Sequence, residues 1–480
     1  MSSIVINRLP VNKKLNHPPG PKGHWLFGTT REFNENPLGA IARYHQEYGP
    51  ALRFRFFWNF YGYSFIHPDQ NKHILVDNNK NYTKDPHPTN LILKPALGNS
   101  LLTSDGDFWR QQRRLAQPAF HRQRIANFGE TMTESTLDML DRWHHFSTQN
   151  PGRLLDVAEE MMRLTLEIVG RTLFGVDLTG AAADVGDAFT RINEYLSSLT
   201  AQAFGVYTIR LPFLAGNRQL RQDVAVLDNL VQEIINARRQ TDAESEDLLG
   251  LLLAARDEET GIGMSDKQLR DEVVTILLAG HETTAIAMSW IFYLLARHPH
   301  VMTRLQAEVD EVLGDERATM ADLPHLSYTR MVIEESMRLY PPAYGMARFG
   351  NEVDEVAGYY VAPQATITLL PYLTHRLPEF WPEPEKFDPL RFTPENAADR
   401  HRYAYIPFGG GPRLCIGNTF ALTEATLLLA TITQHYELSL PPGYQAELEP
   451  LITLRPKGGM PMYLQHRQDK AQPAGMRHLT

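Results

Sequence analysis

The sequence predicts a mainly α-helical fold with a small β region, and three observations carry that prediction. The segment from Asp266 to Arg297 opens with Ser265 and Gln268 at capping-box spacing and stops just before Pro299, which cannot comfortably continue a helix. At 1.5 Å per residue it would run roughly 50 Å, enough to cross a large domain. Helical apolar periodicity recurs near Asp107–Gln117, Val301–Leu313, Tyr328–Tyr340 and Asn418–His435. The clearest β signal lies between Leu52 and Ile66, where Arg53 and Arg55 alternate with Phe54 and Phe56.

At the N-terminus, His17-Pro18-Pro19-Gly20-Pro21 is stiff and extended, because each proline fixes its own φ and restricts the residue before it. It reads as a hinge between a flexible leader (1–17) and one large domain (18–465), with a polar, frayed tail at 466–480. No repeat or low-complexity linker divides the rest. The 480 residues, with 43% hydrophobic and 21% charged side chains, leave ample material for a core and argue against global disorder.

A formal charge of -9 argues against nucleic-acid binding, which needs a basic, phosphate-neutralising surface. No run of roughly 18 or more apolar residues and no signal-peptide core occurs, so no transmembrane anchor and a cytoplasmic location are expected. Cys415 is the sole cysteine, which excludes an internal disulfide and fits a reducing compartment.

That thiol sits in Phe408-Gly409-Gly410-Gly411-Pro412-Arg413-Leu414-Cys415-Ile416-Gly417, after a sterically thin glycine loop and before an apolar helical stretch. Backbone N–H groups at a helix start and the nearby Arg413 would favour a thiolate, and the glycines let backbone lie close to a flat ligand. A small buried cysteine in a glycine turn is the plainer reading. A nucleotide loop is not, because Leu414 stands where GxGxxG needs its third glycine.

The ten residues resemble the FxxGxRxCxG ligand loop of the cytochrome P450s at every specified position. The resemblance implies a single-domain prism with haem b beneath the long helix. It also implies Cys415 as the axial thiolate, Arg413 against a haem propionate and Phe408 packed beside the sulfur. A thiolate pushes electron density onto iron and favours O–O cleavage.

Four distant segments test the resemblance, and each matches. Trp109 and Arg113 resemble the family's WxxxR propionate pair, although alone they would read as a surface cation–π pair. Glu335 and Arg338 resemble its ExxR pair, and Arg391 in Phe387-Asp388-Pro389-Leu390-Arg391-Phe392 resembles the third member of a buried Glu-Arg-Arg cluster with a folding role. Arg348, after Pro341-Pro342, resembles another propionate-contacting arginine. Ala279-Gly280-His281-Glu282-Thr283-Thr284 resembles the AGxET(T/S) oxygen-activation motif. There Gly280 would permit a groove, and the Thr283 hydroxyl backed by the Glu282 carboxylate would deliver protons. A zinc protease is excluded, because Ala285 replaces the second histidine of HExxH.

The implied activity is monooxygenation of an apolar small molecule by O2, with two electrons from a separate ferredoxin or flavodoxin and its reductase. No flavin segment and no spare cysteine for an iron–sulfur cluster are present. Arg110, Arg113, Arg114, Arg122 and Arg124 form a basic stretch suited to an acidic donor. The pocket segments implied by the family, near Leu91–Leu102, Phe204–Phe213, Ile276–Ala279 and Ala343–Met346, are aliphatic and aromatic. Arg53, Arg55, Tyr61 and Tyr63 would hold a carboxylate at the mouth, which sets a fatty acid slightly ahead of a terpenoid or steroid. A peroxygenase or haem-thiolate isomerase is weighed against by Glu282-Thr283. A non-catalytic haem sensor is the reading from another class.

Overall fold

The computed structural model describes residues 16–57, 60–178, 180, 182–201, 205–240, 247–256 and 261–467. Its axis is the helix Asp266–Arg297, whose Ser265 cap and Gln268 form the reciprocal capping box expected. The helix ends at His298, and Pro299 opens the next one, where its missing N–H costs nothing. The central helix is apolar on nearly every side because helices enclose it: Val157–Val169, Ala215–Gln240, Ser327–Leu339 and Asn418–His435 all pack on it. By length and composition it could cross a membrane, yet 83% of its most apolar window is buried inside the fold. No other described helix meets that length and composition.

A Cβ at Gly280 would lie 3.2 Å from Val169. Gly280 therefore also lets the Val157–Val169 helix approach closely, while it keeps part of its surface exposed beside Ala279.

The expected helices form at Gly106–Ala116, Pro299–Leu313, Ser327–Leu339 and Asn418–His435. The expected strand region is an antiparallel hairpin of Ala51–Phe57 and Phe60–Phe65. Phe60–Phe65 pairs in parallel with Ala365–Leu369, which pairs antiparallel with Met346–Gly350, and Tyr82–Thr83 forms the far edge. This sheet brings Arg348 into the same layer as the N-terminal hairpin. Leu52 and Phe54 fill one face against Leu38, Ile41 and Tyr44.

The proline-rich segment is fixed rather than hinge-like. Asn16 bridges to Tyr359, Pro19 O accepts from Arg53 N at 2.9 Å, and the Cα of Gly20 passes so close to Arg53 that a Cβ would lie 1.9 Å from its carbonyl oxygen. Leader residues 1–15 and tail residues 468–480 lie outside the described residues, while strand Pro461–His466 carries order past Gln465.

Candidate active site

The cysteine loop is shaped by its glycines. Gly409 and Gly411 hold φ of 75° and 65°, and a Cβ on Gly411 would fall 1.9 Å from Leu75 O. Only glycine serves there. Cys415 N donates to Phe408 O at 3.0 Å, closing the loop before the helix Asn418–His435 begins. Cys415 keeps exposed surface at the end of this loop. Burial pushes its thiol up, while the Gly417 N–H and the Arg113 charge pull it back down. The cation beside the sulfur is therefore Arg113, not Arg413 as the sequence suggested; Arg113 Nη1 also donates to Leu414 O at 2.9 Å.

Arg413 turns instead to Ser104 O, to Asp105 and to Trp109, whose ring centroid lies 3.9 Å from its Cζ. The cation over the Trp109 ring is thus Arg413, in place of the cation–π pair that Trp109 and Arg113 alone would suggest. Lys84, Arg348 and Arg413 crowd around Asp105, which already accepts from the backbone N–H groups of Lys84 and Asp85. Burial pushes Arg348 down to about 10. Burial first, then the charges of Arg348 and Arg113, push Arg413 to about 10 despite Asp105. Arg413 Nη1 is buried without a partner.

Three cations around one carboxylate, with a buried guanidinium nitrogen unsatisfied, call for further anionic oxygens. The two propionates of haem b fit that demand, and the thin Gly409–Gly411 backbone fits a flat macrocycle beside a sulfur donor.

In the central helix, Ala279 is exposed and Gly280 and Thr283 are half-exposed, although the flanking residues are buried. Thr283 Oγ1 donates to Ala279 O at 2.8 Å. Glu282 is buried, and its Oε1 accepts from Asn193 Nδ2 (2.7 Å), Thr453 Oγ1 (2.7 Å), Arg455 Nε (2.8 Å) and Arg455 Nη2 (2.6 Å).

Glu335 and Arg338 are fully buried and bidentate, at 2.7 and 2.9 Å, and Arg338 also donates to the carbonyls of His375, Pro384 and Lys386. Arg391 Nε lies 3.4 Å from Glu335 Oε1. Burial pushes the Glu335 carboxyl up, and Arg338 is the strongest influence opposing it.

Sequence reasoning missed Asp105 and Lys84 at the cation cluster and Asn193, Thr453 and Arg455 around Glu282. None of them lies in a local pattern; each is brought in by tertiary packing.

The five-arginine stretch is only partly available as a surface. Arg110 pairs with Asp107, Arg113 points inward, and Arg114 and Arg124 are engaged by other contacts. Arg53 stacks on Tyr61 at 4.9 Å, and Arg55 Nη2 donates to His24 O at 2.7 Å. Of the expected pocket segments, Phe204 lies outside the described residues.

A family model described as Cytochrome P450 matches residues 18–461. The chain belongs to the cytochrome P450 family. It is a cytochrome P450 monooxygenase, an oxidoreductase of a family that uses haem b with a cysteine-thiolate axial ligand and takes O2, a small-molecule substrate and electrons from a redox partner. It is similar to cyclooctatin synthase of Streptomyces melanosporofaciens, 39% identical over 81% of this chain and 83% of the relative. Cyclooctat-9-en-7-ol 5-monooxygenase of the same organism is 39% identical over 72% of this P450 and 74% of its own length. Cytochrome P450 4B1 of Rattus norvegicus is 32% identical over 96% and 92%.

Proposed function

We propose that this P450 oxygenates an uncharged, apolar, terpenoid-like molecule, with Cys415 as the axial ligand. The observation that carries the chemistry is the meeting, at one loop, of the exposed Cys415 thiol, the Arg113 charge and the under-neutralised Lys84–Arg348–Arg413 cluster. Bound haem supplies the O2-activating iron, with the thiolate pushing electron density toward it. Arg348 and Arg413 would hold the propionates, with Trp109 bracing Arg413, Arg113 supporting the loop beside the sulfur and Phe408 packing there. Thr283 Oγ1 holds a proton over the exposed Ala279–Gly280 turn, and Glu282 backs it.

The substrate reading rests on charge. Arg55 is spent on a backbone carbonyl and Arg53 on the Tyr61 ring, so the strand that was to hold a carboxylate has its cations engaged. The oxygenase relative's name, with an unsaturated alcohol as its substrate, points the same way. Electrons come from a separate ferredoxin or flavodoxin with its reductase.

Two measurements test this. The reduced, CO-treated protein should give the strongly red-shifted Soret band of thiolate ligation, lost in Cys415→Ser; a globin-like position defeats the ligand assignment. A panel of terpenoid alcohols, a long-chain fatty acid and its methyl ester should give spin shifts with the terpenoids and equal, weak responses to acid and ester. Loss of a charged hydrogen bond costs about 1.5–3 kcal/mol, so an acid bound that much more tightly than its ester would return the choice to fatty acids.

A further inference from the structure

Glu282 is held in an uneven way. All four hydrogen bonds converge on Oε1, from three residues on two other elements: Asn193 in helix Ala182–Ala201, and Thr453 and Arg455 at the tip and second strand of the hairpin Leu448–Pro450/Leu454–Pro456. Oε2 accepts none among the described residues, and it is not among the buried atoms left without a partner. One oxygen is saturated and anchored; the other keeps access to its surroundings.

The donors are themselves tied down. Asn193 Oδ1 accepts from Ile452 N at 3.2 Å, the Arg455 guanidinium faces the Phe189 ring, and Trp290 Nε1 donates to Leu454 O at 2.8 Å. The hairpin is thus pinned to the central helix about two turns beyond Glu282, and its tip presents the exposed side chain of Ile452. The remaining charged or titratable neighbour is His281, a buried ring kept neutral mainly by desolvation, with Nδ1 against Leu277 O.

We propose that Arg455, with Asn193 and Thr453, is the positioning residue that fixes the Glu282 carboxylate by Oε1 and leaves Oε2 to exchange protons with the Thr283 side of the helix. The ion pair thereby sets how much of the reducing power reaches product. Two outcomes compete for each reduced nicotinamide. In the coupled one, NADPH, H+, O2 and substrate RH give NADP+, ROH and H2O. In the uncoupled one, NADPH, H+ and O2 give NADP+ and H2O2. Both consume two electrons, so the ratio of H2O2 to NADPH reads the partition directly. The inference rests on the Thr283–Glu282 proton role proposed above.

The test uses the haem-loaded full chain with a plant-type ferredoxin, its reductase, NADPH and geranylgeraniol as probe. Product, peroxide yield and the solvent deuterium isotope effect on NADPH consumption are measured, and the isotope effect is readable whether or not the probe is converted. Misplacing a catalytic group costs up to about 10²-fold, so Arg455→Gln should shift the product-to-peroxide ratio about tenfold toward peroxide and enlarge the isotope effect. Arg455→Lys should restore most of the ratio, since a lysine can supply one charged donor to Oε1. A purely structural tie would lower thermal stability in Arg455→Gln while leaving ratio and isotope effect at parental values, which overturns the proposal. If Arg455→Gln fails to retain haem, Thr453→Val removes one of the four donors and is read in the same way. Should Glu282→Gln and Thr283→Ala both leave the ratio unchanged, the proton role itself fails. A response to those two but not to Arg455→Gln or Thr453→Val sinks only the positioning role.

Discussion

The guanidinium carbon of Arg413 lies over the indole of Trp109, Cζ 3.9 Å from the ring centroid, while its Nη2 donates to Ser104 O and Asp105. Stack and ion pair together fix the plane of the guanidinium and leave Nη1 as the free donor. A desolvated cation–π contact contributes about 2 kcal/mol or more. Arg413→Leu should therefore lower the haem bound per polypeptide strongly, and Trp109→Ala moderately. Arg413→Lys should be intermediate, because an ammonium keeps charge but not the stacked plane. Haem content by pyridine haemochrome checks the order; equal retention in all three would remove Arg413 from the propionate role.

Glu335 and Arg338 have no exposed side-chain surface, and each satisfies several groups of the other's surroundings. Removing one partner from such a buried pair costs about 3–5 kcal/mol, against a total stability of about 5–15 kcal/mol. Arg338→Leu should accordingly yield little folded holoprotein. Arg391→Leu should cost less, because Arg391 lies 3.4 Å from Glu335 and spends its Nη2 on Glu383 O. Thermal unfolding of the two variants decides this, and an Arg391 variant as damaged as the Arg338 one would mean the cluster works as an indivisible triad.

How much of this was legible in the sequence varies by residue. The central helix was bounded to the residue, because its start and stop are local: a capping box at Ser265–Gln268 and a proline at 299. The cysteine loop was legible for the same reason, since positive φ at Gly409 and Gly411 leaves a glycine signature. What stayed hidden were partners chosen by tertiary packing. Trp109 and Arg113 share a helix face, yet the stack goes to Arg413 across the fold, and Arg113 goes to the sulfur loop. Arg455 sits between Leu454 and Pro456 with nothing local to distinguish it, and only the hairpin's return to the central helix gives it Glu282. The arginines at 53 and 55 alternate as predicted, but which groups they meet depended on where the N-terminal segment lay down.

Glu424 is fully buried in helix Asn418–His435, with both carboxyl oxygens lacking a well-formed hydrogen bond. Burial pushes its carboxyl up to about 8, with the nearby Thr284 hydroxyl opposing only in part. Between the ordinary carboxylate range and about pH 8, the unfolded chain has lost this proton and the folded chain still holds it. The folded state binds more protons there, so stability falls as pH rises through that window and levels off above it. Each pH unit removes about 1.4 kcal/mol relative to a group that does not titrate. Glu424→Gln cannot ionise, so its stability relative to the parent should improve steadily from about pH 5 to 8. A difference that stays constant with pH would mean Glu424 is charged in the folded protein.

Among the arginines expected to receive an electron donor, Arg122 is exposed and makes no ion pair among the described residues, whereas Arg110 is offset by Asp107 and Arg113 is turned to Leu414 O. Exposed charges act on encounter over about a Debye length, roughly 8 Å at physiological salt, and they change association rates more than final affinity. A single unpaired cation beside a helix start, Arg122 at the opening of Arg122–Gln149, should therefore carry more of the salt-sensitive steering than its neighbours. Arg122→Glu should slow reduction by an acidic ferredoxin at low salt, and the deficit should shrink as salt is raised. Arg110→Glu should do less, because Asp107 already offsets that charge. Stopped-flow reduction of the haem-loaded protein under CO measures both. Rates indifferent to salt and to Arg122→Glu would move the docking face elsewhere on the molecule.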